Sequence, residues 1–119
     1  MTIIPGINVA FEHEKLIATF KKKFRFQPDD GYDNVPTSCY LQGHINPNAF
    51  NMPFFMNSKK VYMYFDFDND LRILTPLDVI KYKSQLQEWE DYDFCVFDDS
   101  LEWCIGVTHN DQIIEAKAK

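Results

Sequence analysis

Three groups of side chains in this sequence have residue types and spacings that could carry chemistry. The first is Asp66-Phe67-Asp68-Asn69-Asp70. Carboxylates at alternate positions of an extended chain fall on one face, where they can hold a divalent cation or meet a positively charged partner. As an EF-hand loop the run fails. Its sixth position would be Leu71 where glycine is needed, and its twelfth would be Leu77 where glutamate is needed. The second group is Thr108-His109-Asn110-Asp111. A histidine two residues from an aspartate resembles a general base with its orienting acid. No nucleophile accompanies it, and His, Asn and Asp also occur in turns for conformational reasons. The third is an acidic band of Glu88, Glu90, Asp91, Asp93, Asp98, Asp99 and Glu102, interleaved with Trp89, Tyr92 and Trp103. Carboxylates accept bidentate bonds from Arg and attract Lys, and aromatic rings serve as desolvated anchors. Both tryptophans are expected in the core, which leaves Tyr92 as the anchor. His13 and His44 have no HExxH spacing, so no zinc site is expected.

The elements that must position these groups can be read from periodicity. Asn8 can cap a helix from about Val9 to Lys22, with Val9, Leu16, Ile17, Phe20 and Phe24 on one side. Glu12 and Glu14 lie near its start and Lys21-Lys22-Lys23 at its end, which suits the helix dipole and predicts a solvated last turn. Residues 27–58 hold Pro28, Pro36, Pro47 and Pro53, yet carry enough aromatic and apolar side chains to pack on a core. Residues 60–68 are rich in β-branched and aromatic types and predict a strand. Thr75-Pro76-Leu77-Asp78 opens a second helix, predicted to reach about Glu90 and to bury Leu77, Val79, Ile80, Leu86 and Trp89. Strands are predicted at residues 92–97, 101–108 and 112–116, joined by the short turns at Asp98-Asp99-Ser100 and His109-Asn110-Asp111. Short turns between consecutive strands imply an antiparallel meander. The expected fold is α+β, an antiparallel sheet ending in a three-stranded meander and packed against two helices.

The 119 residues suit a single domain spanning 1–119, and 45% hydrophobic with 16% aromatic residues gives it a core of rings. The formal charge is −6. Residues 1–60 hold seven basic and five acidic side chains, whereas residues 61–119 hold five and thirteen. An acidic body is repelled by phosphate backbones and anionic lipid, so neither nucleic acid nor membrane is an expected partner. It would steer a basic protein towards itself. Three cysteines without a CxxC fit reduced thiols, with Cys95 and Cys104 as small buried hydrophobes. The N-terminus lacks the charge and apolar run of a signal peptide, which makes the cytoplasm the expected setting.

The run from Tyr92 to Asp111, with its strand, its Trp103-containing strand and its Thr-His-Asn-Asp ending, resembles the C-terminal signature of small bacterial immunity proteins. These are encoded beside contact-dependent inhibition and related polymorphic toxins. The resemblance covers about the last 60 residues of the chain. It implies an intracellular stoichiometric inhibitor that binds one cognate toxin domain, and it carries over no functional residue. Joined to the charge pattern, it leads to an expected partner, a basic toxin domain such as a nuclease, whose substrate groove an acidic surface can occlude. The expected contacts are Asp66, Asp68, Asp70, Glu90, Asp91, Tyr92, Asp98 and Asp99, without cofactor or metal. The alternatives are a metal-assisted hydrolase built from Asp66, Asp68 and His109, and an adaptor domain of another bacterial system.

Overall fold

Strands form where β-branched and aromatic residues run together, and three of the six are buried on both sides. The computed structural model describes residues 3–24, 43–66, 68–86, 93–108 and 112–118. Its strands are β1 (His44–Ile45), β2 (Val61–Phe65), β3 (Asp70–Leu74), β4 (Phe94–Phe97), β5 (Trp103–Val107) and β6 (Ile113–Lys117). They make one antiparallel sheet in the order β1-β6-β5-β4-β2-β3. The helices are α1 (Glu14–Phe24), α2 (Pro53–Met56) and α3 (Pro76–Gln85). The fold is therefore α+β, and the predicted C-terminal meander is β4-β5-β6.

The period-2 alternation of each strand divides the core into two layers. Val61, Met63, Phe65, Phe94, Val96, Trp103, Ile105 and Val107 face one side and pack with Phe55, Val79 and Tyr82 from α2 and α3. Tyr62, Tyr64, Leu71, Cys95, Phe97, Cys104 and Ala116 face the other and pack with Ile17, Phe20 and Phe24 of α1. Phe20 lies fully buried and stacked on Phe97, with centroids 3.9 Å apart. Trp103 is in the core against Phe54 and Phe55, and Cys95 and Cys104 are buried, as the apolar pattern predicts.

Several elements depart from the periodicity reading. The chain first winds a 3-10 turn, Ala10–His13, before α1 begins at Glu14. The strand predicted to run to residue 68 stops at Phe65. Asn69 N–H donates to Asp66 C=O, and Asn69 adopts the left-handed region at φ 47°, which asparagine tolerates better than most residues. The chain therefore reverses and adds β3, which was not predicted. α3 carries the predicted start, a capping box between Thr75 and Asp78 with Pro76 in the first turn. It ends at Gln85 because Leu86 turns extended (ψ 137°). Its buried residues are Pro76, Val79 and Tyr82, spaced three apart, so Leu77 falls off that stripe and is 71% exposed.

Register sets the two ends of the sheet. Tyr64 pairs with Cys95, and Phe94 with Val107, so the turn after β2, the entry to β4 and the exit of β5 lie at one end. Tyr82 packs edge-on to Phe65 and Phe94, which brings the C-terminal part of α3 to the same end. Val61 pairs with Leu74 and Tyr62 with Phe97, so the β4–β5 turn lies at the opposite end. Four strand steps, about 13 Å, separate them.

Candidate functional site

At the first end, the carboxylates sit on the tight β2–β3 hairpin. Asp66 pairs with Lys21 of α1 at 2.7 Å. Tyr64 lies beside the pair: its hydroxyl donates to Asn69 Oδ1 (3.0 Å), and the Lys21 ammonium stands 5.5 Å from its ring centre. Burial alone would lower the Lys21 pKa, but the Asp66 carboxylate outweighs it and raises the ammonium above its ordinary value. Burial likewise raises the Tyr64 phenol, with Lys21 pulling against it. Asp70 makes a bidentate bridge to Arg72, with Nε to Oδ1 at 2.7 Å and Nη2 to Oδ2 at 2.9 Å. Both partners are largely shielded, and Asp70 holds the guanidinium above its ordinary pKa. Arg72 Nη1 continues to the Gly6 carbonyl (2.7 Å), tying residues 3–9 to the sheet edge.

The run Asp66 to Asp70 therefore does not present its carboxylates on one face. The turn sends Asp66 to the α1 side with Tyr64, while Asp70, opposite Phe65, lies on the α3 side. Asp68, at the tip, is exposed and has no ion pair among the described residues. No group of three or more His, Cys, Asp or Glu side chains among the described residues is placed to hold a metal ion. Asp66 already has an ammonium in contact.

The second carboxylate pair stands at the other end and is woven into the fold. Asp98 accepts from the Ser100 backbone N–H (3.0 Å) and hydroxyl, and from Ser58 Oγ (3.2 Å), which shapes the β4–β5 turn. That turn puts Leu101 at φ 53°, a costly conformation for leucine, and its side chain is buried against the α1 layer. Asp99 accepts from the Tyr62 hydroxyl at 2.5 Å and meets Lys60 at 3.3 Å. The hydrogen bond from Tyr62 holds the Asp99 carboxyl below its ordinary pKa, and burial together with Asp99 raises the Tyr62 phenol. The His13 ring stands 6.0 Å from Tyr62.

The expected contact residues thus divide. Asp66, Asp68 and Asp70 are brought together, Asp98 and Asp99 are brought together, and the two sets are held apart by the sheet. Glu90, Asp91 and Tyr92 lie outside the described residues, as do Glu88, Trp89, His109 and Asp111. The described residues that flank them, Leu86 and Asp93 on one segment and Thr108 and Gln112 on the other, are all at the β2–β3 end. The described residues carry ten basic and eleven acidic side chains, a net charge of −1 against −6 for the whole chain. The periodicity reading missed Lys21, Arg72, Tyr62 and Tyr64, which organise these carboxylates. A signal existed in the Tyr-x-Tyr spacing, which puts both hydroxyls on one face. A cleft of about 300 Å³ between residues 3–5 and α3 contains Asp78 and Lys81, and Asp78 is engaged in the helix cap.

Compared with models of protein families, with curated proteins and with solved structures, the chain matches none. No helix among the described residues is long and apolar enough to cross a membrane.

Proposed function

We propose that this protein is an immunity protein that binds a cognate bacterial toxin domain and occludes its basic active site or substrate groove. The observation that carries the reading is the composition of the β2–β3 end. There an exposed Asp68 stands on a hairpin whose neighbouring carboxylates are locked by Lys21 and Arg72. The flanks of the segments bearing Glu88, Glu90, Asp91 and Asp111 sit at the same end. A locked hairpin loses little conformational entropy on binding, and negative charge at one end steers a positive groove towards it. Nuclease grooves are basic because they attract phosphate, so carboxylates in that position compete with the substrate.

The test is to mix the protein with the product of the gene adjacent upstream and follow binding and toxic activity from low to high salt. A stoichiometric complex that tightens at low salt and abolishes the activity supports the reading. A product that is not bound at low salt, or that keeps full activity when bound, removes it.

A further inference from the structure

Glu115 is the one charged side chain buried among the described residues, at 5% exposure. It lies on β6 opposite Ile105 and so faces the apolar layer built with α2 and α3. A carboxylate taken out of water is costly unless its oxygens find donors. Both donors here come from one short segment. Asn46 Nδ2 donates to Oε1 (3.1 Å), and His44 Nε2 stands 3.4 Å from Oε2. The other neighbours offer no charge in contact. Ile105 of β5 is apolar, the 3-10 turn Ala49–Asn51 that packs on β6 has no titratable side chain, and Lys117, on the same face of β6, makes no ion pair among the described residues.

The segment that supplies the donors, residues 43–46, is otherwise lightly held. β1 is two residues long, both exposed, and pairs with β6 at the edge of the sheet. Asn46 N–H adds one bond to the Ile113 carbonyl (2.8 Å). So short and exposed a strand has little side-chain burial to fix its register. It lies close against β6 all the same, since a Cβ at Gly43 would collide with the Glu115 carbonyl oxygen. The Asn46 side chain is aimed by its own turn: Oδ1 accepts the Asn48 N–H (3.0 Å), which leaves Nδ2 for the carboxylate. Beyond the turn, Ala49 and Phe50 are buried in the core and bound the segment on that side.

We propose that residues 43–46 are a strap over the β6 edge, latched by the negative charge of Glu115, and that removing this charge releases the strap while the sheet stays folded. The reason is an asymmetry. Hydrogen bonds to an ionised acceptor are about twice as strong as neutral ones, and those of Glu115 all end on the strap. Its remaining surroundings are apolar and accept an uncharged side chain more readily than an ion. Release takes the cover from the outer edge of β6, and strand edges are otherwise kept paired or blocked.

Residue-resolved hydrogen exchange of the full chain at a single pH tests it, with the Asn46 amide reporting the strap and the amides of β4, at the centre of the sheet, reporting the fold. Glu115→Gln keeps the shape and removes the charge. It is expected to speed Asn46 exchange about tenfold and leave β4 within about twofold of wild type. Asn46→Asp keeps an oxygen for the Asn48 N–H and sets a second carboxylate against Glu115. It is expected to speed strap exchange about thirtyfold alone and less than about threefold when combined with Glu115→Gln, because the repulsion is then gone. An Asn46 amide indifferent to Glu115→Gln overturns the proposal, as does an Asn46→Asp effect undiminished beside Glu115→Gln. Equal acceleration of strap and β4, or a Glu115→Gln chain that does not fold, would make the carboxylate a general support of the sheet and overturn it too.

Discussion

Charge reversal at the two ends of the sheet should separate a docking carboxylate from a structural one. Asp68→Lys and Asp99→Lys change the net charge equally, from −6 to −4. Any difference between them therefore reports position. Asp68 is exposed and unpaired among the described residues, so its reversal should leave stability within about 0.5 kcal/mol of wild type. Asp99 accepts the Tyr62 hydroxyl and meets Lys60, and its reversal removes one bond and sets two ammonium groups side by side. A hydrogen bond to a charged group is worth about 1.5–3 kcal/mol when shielded. The Asp99 side chain is 62% exposed, so about 1 kcal/mol is expected after screening. For a chain of this size that lowers Tm by about 4 °C. Association should show the opposite order. A unit charge 4 Å from a partner cation gains about 1 kcal/mol in a water-like dielectric, so reversal costs about 2 kcal/mol, or about thirtyfold at low salt. The loss should shrink as salt shortens the Debye length. The assays are calorimetric melting and stopped-flow mixing with the partner well below both melting temperatures. Equal slowing of association by the two variants would refute the one-ended docking surface. A stable Asp99→Lys would refute the structural role of that carboxylate.

Phe20→Ala deletes a fully buried ring stacked on Phe97 and should destabilise by about 3–5 kcal/mol in urea titrations; a loss under 1 kcal/mol would mean that α1 is not part of the cooperative unit. Because Asp99 has a folded pKa below the ordinary value of 3.8, its bond to Tyr62 stabilises above that pH and weakens as pH falls through the folded pKa. Tyr62→Phe should therefore differ from wild type in Tm at pH 5–7, and the difference should begin to shrink below about pH 3.8 and be smallest below the folded pKa of Asp99, as melting curves across that range would show. Burial raises the Cys104 thiol well above its ordinary pKa, and Cys95 is equally buried. A Cys39→Ser variant should thus leave a thiol reagent unreacted until the protein is unfolded, and rapid labelling of the native form would contradict the two-layer core.

The elements legible in the sequence were those governed by near neighbours. Thr75-Pro76-Leu77-Asp78 carries its own helix start, because cap, ring and carboxylate act within one turn. The β4-β5-β6 meander was readable because short turn segments separate dense β-branched and aromatic runs. The α1 stripe of Ile17, Phe20 and Phe24 followed from helical spacing. β3 was not legible. Asp70-Leu-Arg-Ile-Leu has a weak pattern of its own and becomes a strand by pairing with β2.

The amino-acid order by itself determined the α+β class, the Thr75 helix cap, the meander and an acid excess in the second half. Those depend on local backbone preferences and side-chain period, which act over a few residues. Only the tertiary structure decided that the charged groups part to two ends of a sheet. It also decided that Lys21, Arg72 and Lys60 engage three of the carboxylates. Each of those outcomes rests on contacts between residues distant in the chain, such as Lys21 with Asp66 and Lys60 with Asp99, whose meeting is set by strand register.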